Sequence, residues 1–258
     1  MVEDDEEPML SRPFLGVACC TYHRPQQLSH LIWCFEHQDY AQDRRFMAIL
    51  DDGGVHEPSS GNRWQLYQCN YGHGGLNQRF KTLGLKRNFC VALLPKECDV
   101  VVIWDDDDWY APWALTAIAK AIESGAEFVR PSKVWLKYSG STPVIVSANG
   151  LFHGSWAVRQ DVFWKIGGYD NRKSVDEDQD LASRLVRSGV RELDPITKCN
   201  MSPYYCYIRW SDNVSVVPNL RGYDLKAGKK PPSSRIVVDP QSPGVEYDQW
   251  VMMAQKQG

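Results

Sequence analysis

The run Val100-Val101-Val102-Ile103-Trp104, followed at once by Asp105-Asp106-Asp107-Asp108 and then Trp109-Tyr110-Ala111-Pro112, constrains this chain more than any other. Five apolar, mostly β-branched residues read as a strand buried on both faces, as in a parallel sheet. Four carboxylates cannot share that burial, because each ion costs several kcal/mol to desolvate. They are expected at the carboxyl lip of the strand, in solvent or around a cation. In extended backbone Asp105 and Asp107 would point one way, and Asp106 and Asp108 the other. Paired carboxylates are hard oxygen ligands suited to Mg2+ or Mn2+, which keep water and bind a substrate diphosphate as well. An acidic surface loop is the plainer reading of four acids. The buried strand before them and the Trp-Tyr-x-Pro after them favour a metal site.

The chain has 258 residues, enough for one large α/β domain with a real core, and 43% of them are hydrophobic. A net charge of -3 gives no global field toward nucleic acid or anionic membrane. Residues 1–8 are acidic and no apolar stretch follows them, which argues against a secretory signal. No run of eighteen apolar residues marks a transmembrane segment. The eight cysteines show no Cys-x-x-Cys pairing, so reduced, buried thiols in a cytoplasmic protein are expected.

In chain order, residues 1–13 read as a flexible acidic tail. Leu15 to Cys20 is a short strand. Thr21-Tyr22-His23-Arg24-Pro25 turns it into a helix with Leu28, Leu31, Ile32 and Phe35 at helical spacing. Phe46 to Leu50 is a second strand ended by Asp51-Asp52-Gly53-Gly54, and Trp64 to Cys69 a third, before a Gly-rich loop at Gly72 to Gly75. The next helix is expected to carry Leu85, Phe89, Ala92 and Leu93 on its apolar side. After the acid cluster, Leu115, Ile118, Ala119 and Ile122 mark another helix. Strand and helix alternating through short connections predict a doubly wound, mostly parallel sheet, with ligands at the carboxyl ends of its strands. Tyr22, Asp52 and Asp105–Asp108 all fall on that edge. From Phe128 onward, short runs separated by Gly, Ser and Pro suggest antiparallel strands. Asp176 to Asp180 then open a helix with Leu181, Leu185 and Val186, capped by Gly189.

Several motifs stand together in one order: Thr21-Tyr22 with Arg24-Pro25, Asp51-Asp52-Gly53, Gly84-x-x-Arg87-Asn88, the Asp-x-Asp-Asp strand end, Gly167-Gly168-Tyr169-Asp170, Glu177-Asp178-x-Asp180-Leu181 with Arg184, and Tyr207-x-Arg209. Over residues 14–215 the chain resembles a family 2 glycosyltransferase of the GT-A fold. The resemblance implies a Rossmann-like nucleotide-sugar half over 14–112, a smaller mixed acceptor half over 113–217, and an arm or lid over 218–258. It implies Asp107, with Asp105 as partner or through water, for a Mn2+ or Mg2+ ion on the diphosphate of a UDP- or GDP-sugar. Asp106 would lie near the ribose, Tyr22 and Asp52 at the base, and Arg87 on the nucleotide. Asp178 matches the general base of inverting members.

The chain departs from the pattern where some relatives carry a metal-binding histidine after Tyr-x-Arg; here Trp210 stands, and His153 and His73 are the imidazoles left to consider. Two other classes share features. A nucleotidyltransferase of similar fold would carry a Gly-rich phosphate loop after the first strand, where this chain has Thr-Tyr-His-Arg-Pro. A non-catalytic carbohydrate-binding protein would have no need of both acid clusters. The acceptor is open: a saccharide is favoured, and a DNA base is also considered. For DNA, Arg221, Lys226, Lys229, Lys230 and Arg235 form a basic, Pro- and Gly-rich stretch able to track phosphates.

Overall fold

In the computed structural model, which describes residues 12–69, 80–138, 140–209 and 237–256, the alternation continues through the first half. It runs β1 (Leu15–Thr21), α1 (Pro25–Glu36), β2 (Arg45–Asp51), β3 (Ser59–Gly61), β4 (Trp64–Gln68), α2 (Leu83–Ala92) and β5 (Val100–Asp105). β1 is parallel to β2 on one side and to β5 on the other, and β4 extends the parallel block beyond β2. Residues of β1 and β5 point alternately into two cores. Leu15, Val17 and Cys19 join Val100, Val102 and Trp104 against Leu28, Leu31, Ile32 and Phe35 of α1. Ala18, Val101 and Ile103 pack on the other face, with Cys90, Val91 and Leu94. Both faces are covered, which is why these strands read as unbroken apolar runs.

The second half runs β6 (Trp109–Tyr110), α3 (Ala114–Glu123), β7 (Phe128–Val129), β8 (Lys133–Tyr138), β9 (Val144–Ser147), β10 (Ala157–Arg159), α4 (Gln160–Lys165), α5 (Glu177–Arg187), β11 (Glu192–Leu193), α6 (Pro195–Lys198), β12 (Tyr205–Arg209) and α7 (Val245–Gln255). The large sheet has the order β11-β7-β10-β5-β1-β2-β4-β3, and a small one β6-β12-β8-β9. The expected antiparallel pairing after Phe128 is found for β8 with β9 and for β10 with both neighbours. By contrast β12–β8 and β11–β7 are parallel, so the second half is mixed. The fold is α/β, a mostly parallel doubly wound half joined to a smaller mixed one.

Two elements differ from the periodicity reading. The buried face of α2 is Gly84, Lys86, Cys90 and Val91, while Phe89 and Ala92 are exposed. A buried ion pair, described below, turns the helix away from its expected stripe. Of residues 218–258, the described part 237–256 carries α7, whose Tyr247, Trp250 and Ala254 are buried in the main core. The Tyr247 hydroxyl donates to the Tyr110 carbonyl at 2.6 Å, and the Trp250 ring lies against Trp109 and Trp135. Among the described residues no helix is long and apolar enough to cross a membrane.

Candidate active site

Register places the polar turns side by side: Thr21 pairs with Asp51 and Cys20 with Asp105, so β1, β2 and β5 end along one edge. At the β2 end, buried Asp51 organises the loop. Its carboxylate accepts from the backbone N–H of Gly53 at 2.7 Å, of Val55 and His56 at 3.1 Å, and from the His56 ring at 3.0 Å. Burial works to raise its pKa, yet these hydrogen bonds, led by His56, hold it below the usual carboxylate range. A side chain at Gly53 would put a Cβ 3.0 Å from both Tyr22 and His23, so the glycine lets the two loops meet without displacing either ring. Tyr22 is half-buried there, edge-on to His23 at 4.1 Å.

Asp52, next in the loop, faces a residue that the sequence reading passed over. Lys86 of α2 is buried, donating to Asp52 Oδ1 at 2.5 Å and to the Thr21 carbonyl at 2.7 Å. The signal was present as an alternative helical stripe, Lys86-Cys90-Val91-Leu94, with a lysine in an apolar row. Unpaired charge at a buried position is untenable, so such a lysine implies a carboxylate opposite.

The acid turn corrects two expectations. β5 stops at Asp105 and the backbone turns, so strand alternation does not continue through Asp108. Asp106 and Asp107 converge on one atom: Arg24 Nη1 lies 2.8 Å from Asp106 Oδ1 and 2.9 Å from Asp107 Oδ2. Nor do all four acids stay at a solvent lip. Asp106 and Asp108 are buried, each fully satisfied. The second oxygen of Asp106 accepts the Thr21 hydroxyl at 2.7 Å. Asp108 accepts from the Tyr205 hydroxyl at 2.5 Å and from Ile208 N–H at 2.8 Å, which fastens the turn to β12. Burial and the adjacent acids push Asp108 well above the carboxylate range. Burial first, then Asp106, pushes Asp107 up to about 7 against the pull of Arg24.

Asp105 is held from behind: Arg87 Nη1 lies 3.3 Å from its Oδ1. The Arg87 Nε also reaches Glu177 at the start of α5, 3.2 Å away. α2 thereby ties the acid turn to the helix carrying the expected base. Its Gly84-x-x-Arg87-Asn88 motif acquires a structural meaning. Asn88 Nδ2 donates to the Tyr169 carbonyl at 2.8 Å, its Oδ1 accepts Tyr169 N–H at 2.9 Å, and Gly84 N–H donates to the Lys173 carbonyl at 2.9 Å.

Within the Asp176–Asp180 cluster the acids have separate tasks. Glu177 pairs with Arg87, and Asp180 with Lys173 at 3.1 Å and Arg184 at 2.8 Å. Asp176 takes a positive φ of 57° and makes no side-chain cap bond. Asp178, half-buried, accepts Gln179 N–H at 2.7 Å and forms no ion pair among the described residues. Burial raises its pKa, outweighing the lowering by Gln179 and Arg87, while Asp105 adds to the rise. The helix terminus alone would have favoured a depressed value.

Asp105 and Asp107 fit a divalent cation by the hardness of their oxygens, and the Arg24 guanidinium set between Asp106 and Asp107 already supplies one positive charge to the turn. Among the described residues no group of three or more His, Cys, Asp or Glu surrounds a single point. His153 is buried with Nε2 at 2.7 Å from the Tyr169 hydroxyl, and burial with Arg87 holds it well below its usual pKa. His73, Trp210, the Gly72–Gly75 loop and the basic stretch from Arg221 to Arg235 lie outside the described residues.

No family model matches the chain. No curated protein matches it in sequence. Solved structures do match in fold. S. aureus TarS 1-349 in complex with UDP-GlcNAc superposes with a TM-score of 0.59 at 13% identity, over 79% of this chain and 61% of that one. Mannosyltransferase PcManGT from Pyrobaculum calidifontis, in complex with GDP-Man and Mn2+, gives 0.53 at 17% identity, over 83% and 59%. The chain thus spans about three-fifths of PcManGT and of TarS 1-349, and 36% of the longer TarS structure. At this identity the likeness is one of architecture, and the architecture is the GT-A fold.

Proposed function

We propose that the protein transfers a sugar from a nucleoside-diphosphate sugar to an acceptor hydroxyl by a single inverting displacement, as in the family 2 glycosyltransferases it resembles. The observation that carries this reading is the span from the β5 end to the α5 start. Arg87 bridges Asp105 and Glu177 at 3.3 and 3.2 Å, bringing an acid cluster and a carboxylate without an ion pair among the described residues, Asp178, to the same edge of the sheet. Displacement from a diphosphate needs its leaving charge neutralised at one place and a proton accepted at another. Support comes from the complexes of TarS with UDP-GlcNAc and of PcManGT with GDP-Man and Mn2+.

In this reading Asp105 and Asp107 would hold Mn2+ or Mg2+, which when bound would neutralise charge on the donor diphosphate. Asp52, fixed by Lys86, and Tyr22, seated over Gly53, receive the base, and Arg87 orders the wall between nucleotide and acceptor. Asp106 serves the ribose side from its anchorage on Thr21 and Arg24. Asp178 accepts the acceptor's proton; a carboxylate with a raised pKa is the better base near neutrality, provided it stays ionised. A reducing, cytoplasmic setting is part of the proposal, supported by eight free cysteines, six of them buried.

Thermal-shift screening of UDP-, GDP- and dTDP-sugars with Mn2+ tests the reading. Ligand that binds only the folded state raises the melting temperature by mass action. One nucleotide class should raise it, and more with Mn2+ than without. No shift with any sugar nucleotide up to millimolar concentration would remove the proposal.

A further inference from the structure

The two carboxylates that share Arg24 are not held alike. Asp106 is 5% exposed and engaged on both oxygens by the β1–α1 turn, through Thr21 at 2.7 Å and Arg24 at 2.8 Å. Asp107 is 14% exposed and sits on the same Arg24 Nη1 at 2.9 Å, while the Arg24 side chain is itself 28% exposed. The stem of Arg24 is fixed: His23 before it takes φ 55°, Pro25 after it opens α1, and the Arg24 carbonyl accepts Leu28 N–H at 3.0 Å. Only the far end of the side chain is free to move. The guanidinium thus sits on the carboxylate that a divalent ion would need. Two cations on a single carboxylate repel strongly in a partly buried site.

Resting on the assignment of Asp107 to the metal, we propose that Arg24 is a counter-ion latch. Before the donor binds it neutralises Asp107. The divalent ion, arriving with the diphosphate, displaces it from Asp107 while Asp106 retains it. Metal alone then binds weakly, because it must expel a resident cation. The diphosphate brings negative charge for both cations, so metal and nucleotide each raise the other's affinity by the same factor.

The test is titration of Mn2+ into the full chain at pH 8, with and without UDP or GDP, reading free Mn2+ by electron paramagnetic resonance. R24Q removes the charge and keeps much of the reach; R24M does the same with a different shape, should R24Q melt below wild type. A neutral variant should bind Mn2+ alone about tenfold tighter or more, and its gain from nucleotide should shrink. R24K, which keeps a cation, should stay within about threefold of wild type. A folded neutral variant with unchanged or weaker Mn2+ affinity overturns the latch. Asp107→Asn separates the two levels. If it binds Mn2+ as wild type does, the metal assignment fails and the latch with it. If it loses Mn2+ while the neutral variants match wild type, the latch alone fails.

Discussion

In the proposed mechanism Asp178 and Asp107 are the carboxylates on which the chemistry turns, and each makes a separable forecast. Asp178→Asn keeps the acceptor for Gln179 N–H and removes the proton acceptor. A positioned base contributes about 100- to 10,000-fold, so transfer should fall by that much while the melting temperature stays within a degree or two of wild type. A rate within about threefold of wild type would move the base elsewhere. For Asp107 the sign follows from its raised pKa of about 7. Between the ordinary carboxylate range and about 7 the folded protein binds a proton that the unfolded chain has released, so this group's contribution to stability declines as pH rises through that window. A divalent ion reverses the balance, because it needs the ionised form. Melting curves should therefore show a larger Mn2+-plus-nucleotide shift at pH 8 than at pH 6; equal shifts would detach Asp107 from the metal. The acid turn was legible in the sequence as four aspartates closing an apolar strand, but not that two of them, Asp106 and Asp108, anchor the turn itself. Lys86 was not, since a lysine reads as solvated until its partner, Asp52, is known to lie opposite.

At the scale of elements, β1, β2, β4, β5 and α1 could be read from their apolar periods, because each buries side chains on the faces that the period marks. α2 could not: its core-facing row contains a lysine and a glycine, both of which break an apolar stripe. Removing one partner of a buried ion pair is destabilising by about 3–5 kcal/mol, so Lys86→Met should lose that much in urea unfolding. Adding Asp52→Asn should recover part of it, because the charge left behind is then gone. Had the pair been a surface one, both effects would be near zero. Gly84 is demanded by close approach rather than by its dihedral angles. A Cβ there would lie 2.2 Å from the Asp170 carbonyl oxygen, so Gly84→Ala must push α2 off the loop that leads into α5. Overpacking of this kind is destabilising by about 1–3 kcal/mol. Because Arg87 sits on the displaced helix, the substitution should also lower turnover; a variant with wild-type stability would contradict the packing described.

At the scale of the molecule, the parallel half and the mixed second half meet along β5, whose far neighbour β10 runs antiparallel to it. The mixed half was only partly legible, because strands of two residues such as β6, β7 and β11 carry too little pattern to announce their partners. α7 was missed for a related reason: its buried residues are few, and tertiary packing on the tryptophans of β6 and β8 gives it a place. Trp250 is fully buried there, and Trp250→Ala should lower stability by about 3–5 kcal/mol. The central claim, a sugar nucleotide cleaved at the edge where β1, β2 and β5 end, is tested most directly by nucleoside diphosphate release. UDP- and GDP-sugars would be incubated with the protein and a panel of acceptors, with Mn2+ and with chelator, for wild type and Asp107→Asn. The account predicts release by wild type that chelator abolishes, and its loss in Asp107→Asn at an unchanged melting temperature. Equal release by the two proteins would contradict it.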